Sequence, residues 1–187
     1  MITVYFDMDG VLVDLYGALA KAWGVPPQSL WDHDSDTQRR YELWIEQSGG
    51  AEEAFAGLPP NQHAEMHQTM VLLHSEGHRV EILTSLGASA EFDKSLGIEA
   101  GKQRWLQTHY PDLLEKGVLS GFNGVRQGVD KANFAHDRAL LIDDSPYVLE
   151  PFRAAGGHVA HYRQQDHRRC MDAFLRLSDQ LRKQVRQ

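Results

Sequence analysis

With 187 residues, 42% of them hydrophobic and 24% charged, the chain can bury one good core and has the composition of a soluble globular protein. Its net charge of −7 argues against nonspecific binding to a nucleic-acid polymer, and no apolar run approaches the roughly 20 residues that cross a bilayer. The single cysteine, Cys170, and a first segment without signal-peptide features predict a cytoplasmic protein.

Strands and helices are predicted to alternate along the chain. Short, apolar, β-branched segments predict five strands, at residues 2–8, 78–85, 117–122, 139–142 and 158–162. Helices are predicted at residues 61–75 and 101–110, after Ser145-Pro146, and from Asp166 onward. This alternation predicts an α/β fold, with a parallel sheet covered by helices on both faces.

The segment between the first two strands has a different residue pattern. Helical stretches there are interrupted at residues 24–27 and 49–50, which predicts a small helical cap inserted after the first strand. We therefore expect an α/β core formed by residues 1–14 and 72–187, and a cap subdomain formed by residues 15–71.

Paired acids follow the first predicted strand in the run Asp7-Met8-Asp9-Gly10. Unpaired carboxylates are costly at the end of a buried strand, and a divalent cation would remove that cost. Ligation by oxygen alone favours Mg²⁺. The alternative interpretation, a turn or helix cap with incidental acids, is about equally probable for this motif alone.

Further polar groups follow other strands. Thr84 and Ser85 end the second strand with hydroxyls suited to binding phosphate, and Asp143 and Asp144 end the fourth. Lys131 lies between them in sequence and can neutralise phosphate charge. Since ligands bind beyond the carboxyl ends of parallel strands, these groups together predict one site.

In these four separated motifs the chain resembles the haloacid-dehalogenase-type (HAD) phosphohydrolases, which have a Rossmann-like core. The resemblance implies that Asp7 attacks phosphorus to form an aspartyl-phosphate and that Asp9 is the acid and base. It implies phosphate binding by Thr84, Ser85 and Lys131. The Mg²⁺ ligands would be drawn from the acids of the first and last motifs, namely Asp7, Asp9, Asp143 and Asp144.

A narrower resemblance is to the 5′(3′)-deoxyribonucleotidases. It rests on residues 7–14, on Ile-Leu-Thr-Ser at 82–85, on Gly-Lys-x-Arg-Trp at 101–105 and on Leu-Ile-Asp-Asp at 141–144. The resemblance implies that Lys102 also binds phosphate and that the cap contacts the nucleoside. The candidate contacts are Leu15, Tyr16, Trp31, Trp44 and Phe55, although such aromatic residues can equally form the small core of the cap.

The sequence thus predicts a Mg²⁺-dependent phosphatase that acts on a nucleoside monophosphate, as a monomer or homodimer. A phosphatase for a sugar phosphate or another small metabolite is the alternative within enzymes. A noncatalytic protein that binds a phosphorylated ligand is the alternative from another class.

Overall fold

The computed structural model describes residues 1–27, 30, 35–87 and 92–185. The elements of these residues are β1 (Thr3–Phe6), α1 (Leu15–Trp23), α2 (Ser35–Gln47), α3 (Ala51–Ala56), α4 (His63–Ser75), β2 (Arg79–Ser85), α5 (Phe92–His109), α6 (Pro111–Glu115), β3 (Leu119–Val125), β4 (Ala139–Asp143), α7 (Pro146–Ala154), β5 (His158–His161) and α8 (His167–Val185). No helix among them is both long and apolar enough to span a bilayer.

The strands of the described residues form one parallel sheet in the order β3-β2-β1-β4-β5. The predicted α/β fold with a parallel sheet is therefore confirmed. Strand β1 lies in the middle, with Phe6 paired to Ile82 of β2 and to Ile142 of β4. Because the strands are parallel, the residues that follow β1, β2 and β4 meet at one edge of the sheet.

Alternate residues of the central strands face opposite sides of the sheet. Val4 and Phe6 belong to a large hydrophobic cluster that includes side chains of α4, α5 and α8. Tyr5 belongs to a second cluster, which α7 closes with Val148 and Phe152. Each side of a parallel sheet that is covered by helices needs an apolar face, and the two-residue period of the strands provides both.

Helices α1 to α4 lie between β1 and β2 in the chain. Helix α3 packs against α5, and α4 contributes Met66, Met70 and Leu73 to the large hydrophobic cluster beside β2. The division into a core and a cap with a boundary at residue 71 stays a prediction.

A tight turn follows β1 and is tied to the segment before α4. The backbone N–H groups of residues 11–13 all donate to the carbonyl of Met8. Asn61 donates from its backbone to the Leu12 carbonyl at 2.7 Å and from its side chain to the Val13 carbonyl at 3.2 Å. Asp14 then caps α1 by accepting a hydrogen bond from Gly17. These contacts fix the backbone that carries Asp7 and Asp9.

Candidate active site

Three acids converge where β1 and β4 end. Asp7, Asp143 and Asp144 each offer a carboxylate oxygen, and these oxygens all lie within 4.8 Å of one another. The backbone holds them there, since the Asp7 N–H donates to the Ile142 carbonyl at 3.0 Å. Asp143 is 1% exposed and accepts a hydrogen bond from the Ser145 N–H at 2.9 Å.

Lys131 bridges two of these acids. It lies on a 3-10 helix, Gly128–Phe134, and its Nζ is 2.8 Å from Asp7 Oδ1 and 2.7 Å from Asp143 Oδ2. Burial disfavours the charge on Lys131, but the two carboxylates outweigh burial and raise its pKa. Lys131 is therefore a fixed positive charge beside the predicted nucleophile.

The acids themselves are held in an environment that disfavours their ionisation. Burial raises the pKa of Asp144 to about 8, and the charges of Asp7 and Asp143 act in the same direction. Burial and Asp7 also raise the pKa of Asp143 to about 6, against the contact with Lys131. A divalent cation among the three carboxylates would remove this repulsion, and three oxygen donors suit Mg²⁺. The residues present thus fit a magnesium ion.

Asp9 lies outside this group of three, and its carboxylate contacts Lys102 instead. Lys102 Nζ is 2.7 Å from Asp9 Oδ2, 2.8 Å from Thr84 Oγ1 and 2.7 Å from the Ser85 carbonyl. Burial raises the pKa of Asp9, whereas the charge of Lys102 lowers it. Burial has the larger effect, which favours a protonated Asp9.

A cavity of about 390 Å³ opens onto these groups. Its walls are formed by Asp7, Asp9, Tyr16, Ser85, Gln127, Gly128, Val129, Lys131, Asp143, Asp144, Ser145, Tyr147 and Val148. Thr84, the residue before Ser85, is fully buried and contacts Lys102. The cavity is large enough for a small phosphorylated molecule and has carboxylates and an ammonium group at its base.

No family model and no curated protein matches the chain. Among solved structures, the chain is similar to a predicted HAD-like family hydrolase from Porphyromonas gingivalis, with 16% identity, a TM-score of 0.51 and coverage of 95% of this chain and 97% of that one. The chain has the fold of the HAD-like hydrolases. A dehalogenase is similar at 13% identity and a TM-score of 0.52, with coverage of 87% and 85%. A predicted phosphoglycolate phosphatase from Haemophilus somnus is similar at 14% identity and a TM-score of 0.51, with coverage of 86% and 84%. Identities this low show the shared fold alone.

Within this HAD-like fold, the residues predicted to contact the nucleoside occupy different environments. Tyr16 lines the cavity. Leu15 and Phe55 are buried in the hydrophobic core, and the Trp44 ring packs edge-on against Phe55 at 5.9 Å between centroids. Trp31 lies outside the described residues. The alternative interpretation, a core role for aromatic residues, thus fits the positions of Phe55 and Trp44.

Sequence reasoning missed the wall formed by Tyr147, Gln127, Val129 and Val148. Tyr147 is 75% exposed although it is aromatic. The signal was present in the sequence: Tyr147 closely follows Asp143-Asp144 and lies in the first turn of α7, at the edge of the sheet where ligands bind.

Proposed function

We propose that this protein is a Mg²⁺-dependent phosphomonoester hydrolase that uses Asp7 as its nucleophile and acts on nucleoside monophosphates. One observation carries the proposal. The Asp7 carboxylate lies at the base of an open cavity, in contact with the ammonium group of Lys131 and close to the carboxylates of Asp143 and Asp144. A carboxylate can attack an anionic phosphate only where nearby cations shield its charge.

The reaction has two steps. An oxygen of Asp7 attacks phosphorus, the bond from phosphorus to the leaving oxygen breaks, and Asp9 gives that oxygen a proton. Water then attacks the aspartyl-phosphate and gives a proton to Asp9, and the bond between Asp7 and phosphorus breaks to release phosphate. The pKa of Asp9, which burial raises, suits the acid role in the first step.

Asp7, Asp143 and Asp144 would hold the metal. When bound, Mg²⁺ would neutralise charge on the phosphoryl group in the transition state. Lys131 shields the charge of the nucleophile and orients it through its contacts with Asp7 and Asp143. The Ser85 hydroxyl on the cavity wall can donate to a phosphoryl oxygen.

The nucleotide preference is supported by the aromatic side chains of the cavity. Tyr16 and Tyr147 both line it, and an exposed tyrosine ring can stack on a base, an interaction worth about 1–3 kcal/mol. The sequence likeness at residues 7–14 supports the same substrate class.

The test measures phosphate release with Mg²⁺ from nucleoside monophosphates, sugar phosphates and p-nitrophenyl phosphate, by the wild type and by Asp7→Asn. We expect release from nucleotides that EDTA and the variant both abolish. Release only from sugar phosphates would keep the chemistry and contradict the nucleotide preference. Phosphate binding without release from any ester would favour a noncatalytic binding protein.

A further inference from the structure

The two buried lysines of the site differ in what they have left to donate. Lys102 is 1% exposed, and its ammonium group has three donors and no acceptor. All three donors are used, by Asp9 Oδ2, Thr84 Oγ1 and the Ser85 carbonyl. Lys131 lines the cavity; it donates a hydrogen bond to Asp143 Oδ2 and forms an ion pair with Asp7 Oδ1 at 2.8 Å.

Packing against α3 also fixes the position of Lys102. Its Nζ lies 5.3 Å from the centroid of the buried Phe55 ring, a favourable contact for a cation. Its neighbour Gly101 is packed so closely against α3 that an added Cβ would lie 2.6 Å from the Glu52 carbonyl oxygen. Lys102 therefore cannot move toward a phosphate without leaving buried acceptors unpaired, which costs about 1–3 kcal/mol for each group.

The contacts of Lys102 connect the ends of two strands. Asp9 follows β1, and Thr84 and Ser85 end β2. Lys102 binds only one oxygen of the Asp9 carboxylate, Oδ2. The other oxygen, Oδ1, is buried and has no hydrogen-bond partner among the described residues. Lys102 thus fixes the carboxyl group of Asp9 through Oδ2, while the Asp9 side chain, 21% exposed, lines the cavity.

We propose that Lys102 is a positioning residue that holds Asp9 for proton transfer to the leaving group, and not a phosphate ligand. The proposal rests on the proposed function. Phosphate would be bound by Lys131 and by the cavity wall. Because Phe55 contacts Lys102, the packing of α3 on α5 would support the position of Asp9.

The test compares two leaving groups. The leaving oxygen of an alkyl phosphate needs a proton before it can depart. p-Nitrophenyl phosphate instead releases p-nitrophenolate, which is stable as an anion and needs no proton. We expect Lys102→Met to lower kcat/KM for the alkyl ester by about 10²- to 10⁴-fold, the range for lost general acid catalysis. For p-nitrophenyl phosphate we expect a loss of less than about tenfold, because kcat/KM covers only the steps up to departure of the leaving group.

Inhibition by inorganic phosphate gives a second measurement. A positioning residue leaves the inhibition constant within about twofold of the wild type, whereas loss of a buried charged phosphate ligand raises it by about tenfold or more. Arg104→Met is the matched control, since Arg104 lies on the same helix and pairs with Glu52 and Glu53 of α3. We expect it to retain the wild-type ratio of activities on the two esters.

Lys102→Met leaves Asp9 as an unpaired buried acid and can fail to fold for that reason. The decisive comparison is then Asp9→Asn against the double variant Asp9→Asn/Lys102→Met, assayed on p-nitrophenyl phosphate. Equal kcat/KM values support the proposal, because Lys102 then acts only through Asp9. A further loss of tenfold or more in the double variant, or equal losses on both esters in the single variant, overturns it. A wild type that hydrolyses neither ester overturns the proposed function itself.

Discussion

At the scale of single residues, charge balance dominates the cavity. Four carboxyl groups of the described site, those of Asp7, Asp9, Asp143 and Asp144, face two buried ammonium groups. If all are ionised, two negative charges are in excess, which one divalent cation would match. Burial, together with the charges of the neighbouring carboxylates, raises the pKa values of Asp143 and Asp144.

Gly10 allows the acids to approach this closely. Its φ is +76°, and an added Cβ would lie 2.1 Å from Asp144 Oδ2. We expect Gly10→Ala to lower the free energy of unfolding by about 1–3 kcal/mol and to raise the Mg²⁺ concentration that half-activates the enzyme. Urea unfolding and a magnesium titration of activity measure these two effects.

Gly77→Ala is the matched control for Gly10→Ala. Gly77 also has a positive φ, +84°, but an added Cβ would meet nothing within 4 Å. This variant therefore carries the backbone strain without the clash, and its magnesium dependence should equal that of the wild type. An equal magnesium dependence in both variants would contradict the role of Gly10 in placing Asp144.

Tyr147 is the residue on which we expect substrate preference to depend. Tyr147 is 75% exposed and lines the cavity. We expect Tyr147→Ala to raise KM for nucleoside monophosphates by about tenfold, as one lost stacking contact predicts, and to leave KM for sugar phosphates unchanged.

Tyr147→Phe keeps the ring and should keep the wild-type KM. Leu114→Ala removes an exposed apolar side chain that is distant in sequence and outside the cavity wall, and it should change neither constant. Equal increases in KM for both substrate classes would show that Tyr147 shapes the cavity without recognising a base.

At the scale of elements, the contact between α3 and α5 supports the position of Lys102. Gly97 and Gly101 lie on one face of α5, where added Cβ atoms would lie 3.0 Å from Ala51 Cβ and 2.6 Å from the Glu52 carbonyl oxygen. Small residues at a spacing of four allow two helix backbones to come close together. Lys102 then reaches Asp9 from this fixed helix.

We expect Gly101→Ala to destabilise the protein by about 1–3 kcal/mol and to lower kcat, since α3 and Lys102 must shift. Alanine is favoured over glycine in a helix by about 1 kcal/mol, so a net loss can only come from the close contact. Gly97→Ala meets a side-chain methyl group, and its loss should be smaller and relieved by Ala51→Gly. Thermal unfolding measures both, and a stabilised Gly101→Ala would contradict the close packing.

The strands and the positions of the motifs could be predicted from the sequence, but the side-chain contacts of the motif residues could not. Strand periodicity places Asp7, Thr84 and Asp143 at one edge because parallel strands align their carboxyl ends. The role of Lys102 depends on α5, whose first turns carry no strong helical pattern and whose packing glycines touch residues about fifty positions earlier. For the same reason, the sequence alone could not show that Phe55 contacts Lys102 and does not line the cavity.

At the scale of the whole molecule, the sheet order brings together acids that are far apart in the chain. Strand β1 pairs with both β2 and β4, so residues 7, 84 and 143 come together only when these three strands have paired. Buried carboxylates at this junction make folding and proton binding interdependent, and the stability of the metal-free protein should depend on pH.

The sign of that dependence follows from the pKa values. An aspartate in the unfolded chain titrates near pH 3.9, whereas the folded-state pKa is about 6 for Asp143 and about 8 for Asp144. The folded protein therefore binds these protons more tightly. The resulting stability is complete below about pH 4 and is lost as the pH rises through about 6 and then about 8.

We therefore expect the Tm in EDTA to fall between about pH 5 and pH 9, and Mg²⁺ to raise the Tm more at the upper end, where the carboxylates are ionised. Asp144→Asn is the control, because it removes the acid with the higher pKa and leaves every histidine in place. The difference in Tm between wild type and variant should shift in favour of the variant as the pH rises in EDTA. A difference that stays constant with pH, or a magnesium effect that is equal at both ends, would contradict this account of the acidic cluster.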